Sequence, residues 1–276
     1  MTGTFATTHR RAWLLAAAGM ALLICLCYAP PRAQAATPPP DSPGVITSTL
    51  YVPALLQDVA CEPIPWVSYD TLTVYPPPSD RPAEQHADLN LALRGYVPTR
   101  AYLGLVEYGG PADPGAPQLA GLFFDQRTPI FGMAYQVYDW NWSCNCRGQP
   151  IGDPPVTLIG MVSAPGEILY VPASDYDIGD GYEVLVLYAS PERITLKYTR
   201  EDNVVRGYTL HVESICVEPK LLTLYQTWNA AGRRRLPALR AYQPFGRARG
   251  SLVSVAIRDT GSFMDPRSRK DWWQGR

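Results

Sequence analysis

Polar and apolar positions along the chain fall into two regimes. The first is an unbroken apolar run over residues 12–29, preceded by Arg10 and Arg11 with no acid before them, and ended by Pro30 and Pro31. Ala33-Gln34-Ala35 follows, a small-x-small site. A basic start, an apolar middle and such a site are the parts of a secretory signal, so residues 1–35 are expected to direct export, with cleavage after Ala35. The competing expectation is an uncleaved anchor, since a run of about 18 apolar residues is a marginal membrane span. Residues 36–46 are rich in Pro and small polar residues and read as an extended linker.

Beyond the linker the pattern is short alternating runs separated by Gly and Pro. Strands are predicted over residues 64–75, 89–96, 101–108, 131–142, 156–162, 167–171, 182–188, 193–198, 208–212 and 252–258. Loops are predicted over 109–117 and 145–155. One segment, residues 219–231, has apolar positions at 221, 222, 224, 225 and 228. That is a helical rhythm, with Pro219 suited to the first turn and Gly232 to the stop. The expectation is an all-β chain, sandwich or barrel-like, with one C-terminal α-helix. It divides into an N-terminal β region over 47–155 and a C-terminal β domain over 156–276.

Composition agrees with many turns and few helices: 28 Pro, 22 Gly and 17 Tyr, with only 18% charged residues. Cleavage after Ala35 removes three of the 24 basic residues and none of the 25 acidic ones, leaving a net charge of −4. Without a basic surplus, nucleic acid is not an expected partner. No Gly-x-Ser-x-Gly elbow and no phosphate-binding Gly loop occurs. No cofactor is expected.

Cys61, Cys144, Cys146 and Cys216 remain after the signal, an even number that in an exported chain points to disulfides, with three pairings open. Cys144-Asn145-Cys146 reads as too tight to close on itself. The rival reading, a metal-binding Cys pair, lacks a second half.

Candidate chemistry is sparse. His86, with Asp88 nearby, and His211, sharing one strand face with Glu213, are the only histidines beyond the signal. Neither spacing is diagnostic of a metal or acid–base site, and hydrogen-bonded polar groups beside a sheet are the plainer reading. Asp175, Asp177 and Asp180, with Glu183, cluster around two Gly in a weak calcium-loop pattern, or a plain acidic turn. Asp139, between Tyr138 and Trp140, is the carboxylate best placed for a glycosidase role. Arg233, Arg234 and Arg235 follow the predicted helix end and suit its dipole. Residues 264–276 form a basic, aromatic tail whose Trp272 and Trp273 would be an exposed docking point.

Two resemblances follow from these residues. Gln243-Pro-Phe-Gly246, then Gly250-Ser-Leu-Val-Ser-Val-Ala-Ile-Arg258, then Gly261-Ser-Phe-Met-Asp-Pro266 resemble the late motif of the LytM-type M23 metallopeptidases, which are cell-wall endopeptidases. The likeness covers about 25 residues, and the family's two late histidines fall at Leu252 and Ser254 here. His86 with Asn90 is similar to its first His-x-x-x-Asp ligand pair, with Asn for Asp. The resemblance implies a relative without its zinc site, one that binds a wall component or regulates another enzyme. The chain also resembles a group of exported bacterial proteins sharing the block Lys197-Tyr-Thr-Arg-Glu-Asp-Asn203, which implies no activity. The leading expectation is therefore an extracytoplasmic, non-catalytic envelope-binding or structural protein, with peptidoglycan or another envelope component as partner. The membrane enters only through an uncleaved N-terminal segment. The alternatives are a secreted carboxylate-dependent hydrolase, with its acids among Asp139, Asp175, Asp177 and Glu213, and an interaction subunit of a surface assembly.

Overall fold

A computed structural model describes residues 62–276. The signal, its cleavage site, the linker and Cys61 lie outside the described residues. Fourteen strands and three α-helices follow in chain order: β1 Asp70–Thr73, α1 Leu91–Arg94, β2 Tyr96–Thr99, β3 Phe131–Asn141, β4 Cys146–Pro150, β5 Leu158–Val162, β6 Ile168–Tyr170, β7 Val184–Ser190, β8 Arg193–Lys197, β9 Tyr208–Glu213, β10 Ile215–Val217, α2 Pro219–Ala230, β11 Arg235–Leu239, β12 Pro244–Ala248, β13 Leu252–Asp259, β14 Ser262–Met264 and α3 Arg269–Trp272. The chain is all-β in class, as expected.

Eleven strands form one antiparallel sheet in the order β1-β11-β7-β8-β9-β13-β5-β3-β2, with β4 added to β3 and β14 to β13. Strands from before and after residue 155 share this sheet. A second sheet has the order β10-β12-β6.

The registers of β8, β9 and β13 sort the central side chains into two faces. Ile194, Val212 and Val255 line up across the three strands, as do Leu196, Leu210 and Ile257. These belong to the main apolar core. On the opposite face Arg193 aligns with Glu213 and Ser254, Thr195 with His211 and Ala256, and Lys197 with Thr209 and Arg258. Alternation thus puts His211 and Glu213 together, with Leu210 and Val212 behind them. The polar face is not solvated: Lys197, Thr209 and His211 are fully buried.

Helix α2 stands where the rhythm predicts it. The Glu218 carboxylate accepts from the backbone N–H groups of Lys220 (2.7 Å) and Leu221 (3.0 Å), and Pro219 occupies the first turn. Leu221 and Tyr225 are its buried residues, and the helix lies against β7 and β11. The strand predicted over 89–96 is instead a helical turn, because the Asn90 Oδ1 accepts from the Ala92 N–H at 3.2 Å and caps it. The segment 101–108 makes only an isolated bridge, Val106 to Ser268. Of residues 64–75 only β1 is strand, and the predicted loop over 145–155 contains β4.

Two further expectations are corrected. Trp272 and Trp273 are buried, at 2% and 0% exposure. Their indole N–H groups donate to the carbonyls of Asp265 (2.9 Å) and Pro266 (2.8 Å), and their rings meet Tyr208 and Phe131 edge-on. The basic residues beside them are occupied too: Arg267 pairs with the buried Asp265, and Lys270 reaches the Pro111 carbonyl. The second correction is that Cys144 and Cys146 are bonded to each other, across a Cα–Cα distance of 5.3 Å. The intervening Asn145 takes φ +51°, a left-handed turn that Asn tolerates and that brings its neighbours round. Cys216 is also disulfide-bonded.

Candidate functional site

Residues 83–95 lie over the buried polar face of the sheet. The Thr195 hydroxyl donates to the Leu89 carbonyl at 2.7 Å and sits 3.0 Å from the His211 Nδ1. A hydroxyl has one proton, and here it goes to the carbonyl, so the His211 Nδ1 carries a hydrogen and donates to the Thr195 oxygen. The Nε2 then holds a bare lone pair, and it has no hydrogen-bond partner among the described residues. Burial above all, and then Arg258 and Arg94, push the His211 pKa well below the ordinary value, keeping the ring neutral. The ring stacks on Phe263 at 6.2 Å.

Beside it lies the strongest charge cluster. One oxygen of Asp88 accepts from both Arg94 (2.7 Å) and Arg258 (2.8 Å). Burial opposes ionisation of Asp88, but the two guanidiniums outweigh it and bring its pKa down to about 2. Arg94 also donates to the carbonyls of Ala87 (3.1 Å) and Tyr138 (3.3 Å). Arg258 also donates from Nε to the Gly261 carbonyl at 2.8 Å, and from Nη2 to the same oxygen. Both guanidiniums lie over the Phe263 ring, at 5.5 and 4.6 Å. The cluster opens into a cavity of about 350 Å³ lined by Arg94, Asp139, Ile151, Asp153, Arg258 and Phe263, among others. Asp139, whose side chain is 70% exposed, approaches Arg94 to 3.6 Å.

The remaining candidates are dispersed. His86 accepts from the Asp88 N–H at Nδ1, lies 3.6 Å from Asp80 and packs edge-on against Trp142; burial lowers its pKa. Glu213 is buried and held by Arg193 at 3.0 Å; burial raises its pKa. The Asp177 carboxylate accepts from the Gly179 N–H, Asp180 takes φ +59°, and Glu183 accepts from the Ser174 hydroxyl at 2.8 Å. Among the described residues no three His, Cys, Asp or Glu side chains gather as a group that could hold a metal ion. Arg233 is drawn inward as a two-pronged partner of the buried Asp202 at 2.6 and 2.8 Å, rather than left at the helix end.

A second open cavity, of about 400 Å³, was invisible in the pattern. Trp66, Tyr182 and Tyr242 line it, with Asp70, Arg240 and Gln243. Trp66 is 99% exposed and has φ +65°; Tyr242 is half exposed and has φ +56°. Bulky residues rarely adopt this left-handed backbone, and where they do the surrounding structure holds them there. At Tyr242 the N–H donates to the Val171 carbonyl (2.9 Å), and the next residue closes back on the Arg240 carbonyl. The Arg240 guanidinium lies 4.1 Å from the Tyr182 ring centroid, and the Tyr182 hydroxyl donates to Asp70 at 2.7 Å. The only signals in the sequence were isolated aromatics beside turn residues, 60 to 176 positions apart.

Comparison with known proteins gives no relative to set beside this geometry: no family model, no curated protein and no solved structure matches the chain.

Proposed function

We propose that this is an exported, non-catalytic cell-envelope binding protein, and that a glycan strand of the wall lies in the groove of Trp66, Tyr182 and Tyr242. The observation that carries the reading is the pair of exposed aromatic side chains, Trp66 and Tyr242, around one open cavity with the buried Tyr182 in its wall, and with Trp66 fully in solvent on a left-handed backbone. Sugar rings present C–H faces that stack on aromatic rings, while Asp70, Arg240 and Gln243 offer acceptors and donors to hydroxyls. Segment 86–90 meets the sheet at Thr195 and His211, and Ser254 sits beside Glu213 on that same face. There Asn90 is spent on the protein itself: it caps α1 and donates to the Glu84 carbonyl.

The test is co-sedimentation of the purified protein with isolated peptidoglycan sacculi. Bound protein is expected in the pellet, with no muropeptides released. Trp66→Ala and Tyr242→Ala are each expected to weaken binding about tenfold, the equivalent of about 1.4 kcal/mol, without loss of fold. Failure to pellet, or pelleting indifferent to both substitutions, sinks the reading. A second reading, a carboxylate-dependent hydrolase, rests on Asp139 and Asp153 lining one cavity. Muropeptides in the supernatant, abolished by Asp139→Asn, would establish it instead.

A further inference from the structure

The Arg94–Asp88–Arg258 cluster has no part in the glycan reading, and its charge is unbalanced. Arg94 and Arg258 have side chains only 5% exposed, yet they share one oxygen of a single carboxylate, that of the partly exposed Asp88. The fully buried Lys197 on the same sheet face donates to the main-chain carbonyls of Arg206 and Gly207, with the Glu201 and Asp259 carboxylates acting on its charge. A buried surplus of positive charge is costly unless an anion completes it. Asp139 does not: at 3.6 Å from Arg94 it is beyond hydrogen-bond length, and its side chain is mostly in solvent.

Donors are also left over. A guanidinium carries five N–H groups. Arg94 uses three, on Asp88, Ala87 and Tyr138, and Arg258 uses three, on Asp88 and twice on Gly261. Two remain on each, and both residues line the open cavity of about 350 Å³. The rim of that cavity is acidic, with Asp139 and Asp153. Paired guanidiniums favour a planar carboxylate, while rim carboxylates repel a multiply charged anion and attract a cation. Cationic floor and acidic rim therefore match a ligand that carries both charges close together.

We propose that this cavity binds an α-amino-acid head group, with its carboxylate on Arg94 and Arg258 and its ammonium on Asp139 and Asp153. The side chain of the ligand then passes over Phe263 into a neighbouring cavity of about 280 Å³, which shares Asp153 and Phe263 with the first and is walled by Tyr108, Met264 and Trp272. Phe263 is held at this junction by the two guanidiniums above its ring.

The experiment is calorimetric titration of the purified protein with alanine, propionate, ethylamine and inorganic phosphate. Alanine is expected to bind with a roughly millimolar Kd. Propionate and ethylamine, each lacking one charge, are expected to bind at least about tenfold more weakly. Arg258→Lys removes the planar fork and is expected to cost about tenfold in alanine affinity. Asp139→Asn lies on the exposed rim and tests the site even where Arg258→Lys disturbs folding. It should weaken alanine about tenfold and not weaken propionate. The proposal is overturned by no alanine binding at about 50 mM (far above that Kd), by propionate or phosphate binding as tightly as alanine, or by indifference to Asp139→Asn. No wall material is present, so the outcome is independent of whether the protein pellets with sacculi.

Discussion

Single side chains on the buried polar face have acid–base behaviour that neutral pH hides. His211 is held neutral by burial and by two nearby guanidiniums, so its folded pKa lies well below the value of about 6.5 that it has in an unfolded chain. Below pH 6.5 the unfolded chain therefore takes up a proton that the folded chain refuses, and stability falls as the solution is acidified. His86, lowered by burial, acts in the same direction. The contribution of His211 reaches about 1.4 kcal/mol per pH unit below pH 6.5. Urea denaturation from pH 7 to pH 5 should show that slope, and His211→Asn should flatten it whatever its effect on absolute stability. Equal slopes in both proteins would mean that His211 protonates without unfolding. Asp88 works in a lower window. Its folded pKa of about 2 lies below the unfolded value, so its stabilisation is complete above about pH 4 and is lost as pH falls through about 2.

At the scale of elements, the capping of α2 makes a sharp prediction. Glu218 is almost fully buried and satisfies two backbone N–H groups of the first turn. Glu218→Ala should cost about 1–2 kcal/mol, read as a lower denaturation midpoint with an unchanged m-value. This helix was legible because its apolar rhythm and Pro219 agree. So were β5, β7, β8, β9 and β13. In β8, β9 and β13 the alternation was real, but its polar half, such as Thr195, Thr209 and His211, faces buried partners rather than water, while β5 and β7 read as near-continuous apolar runs. Strands β11 and β12 were missed because Pro237 stands inside the first, and Pro244 and Gly246 inside the second. Gly246 has its own reason: a Cβ there would come within 2.5 Å of the Cys216 carbonyl oxygen on the adjacent strand. The candidate sites were less legible still. Arg258 and Asp88 are 170 residues apart, and nothing in local spacing announces that one donates to the carboxylate of the other.

At the scale of the molecule, the large sheet draws on nearly the whole described chain, and the C-terminal residues lock it. Trp272 and Trp273 pack on Tyr208 and Phe131, which belong to β9 and β3. Ending the chain after Ser268 removes both indoles, at about 3–5 kcal/mol each, against a typical total stability of about 5–15 kcal/mol. The truncated protein should lose its cooperative thermal transition, and retention of the transition near its original temperature would refute this account of the tail. The Cys144–Cys146 bridge presents the opposite case. It closes a loop of very few residues, so it restricts the unfolded chain little and contributes little to holding the fold. Both cysteines are exposed at the tip between β3 and β4. Its oxidation state therefore follows the glutathione or oxidase poise of its surroundings rather than the folding equilibrium. The hairpin tip is in effect a built-in address label: alkylating the thiols of freshly harvested cells and weighing the peptide that contains it reports which side of the membrane the chain occupies.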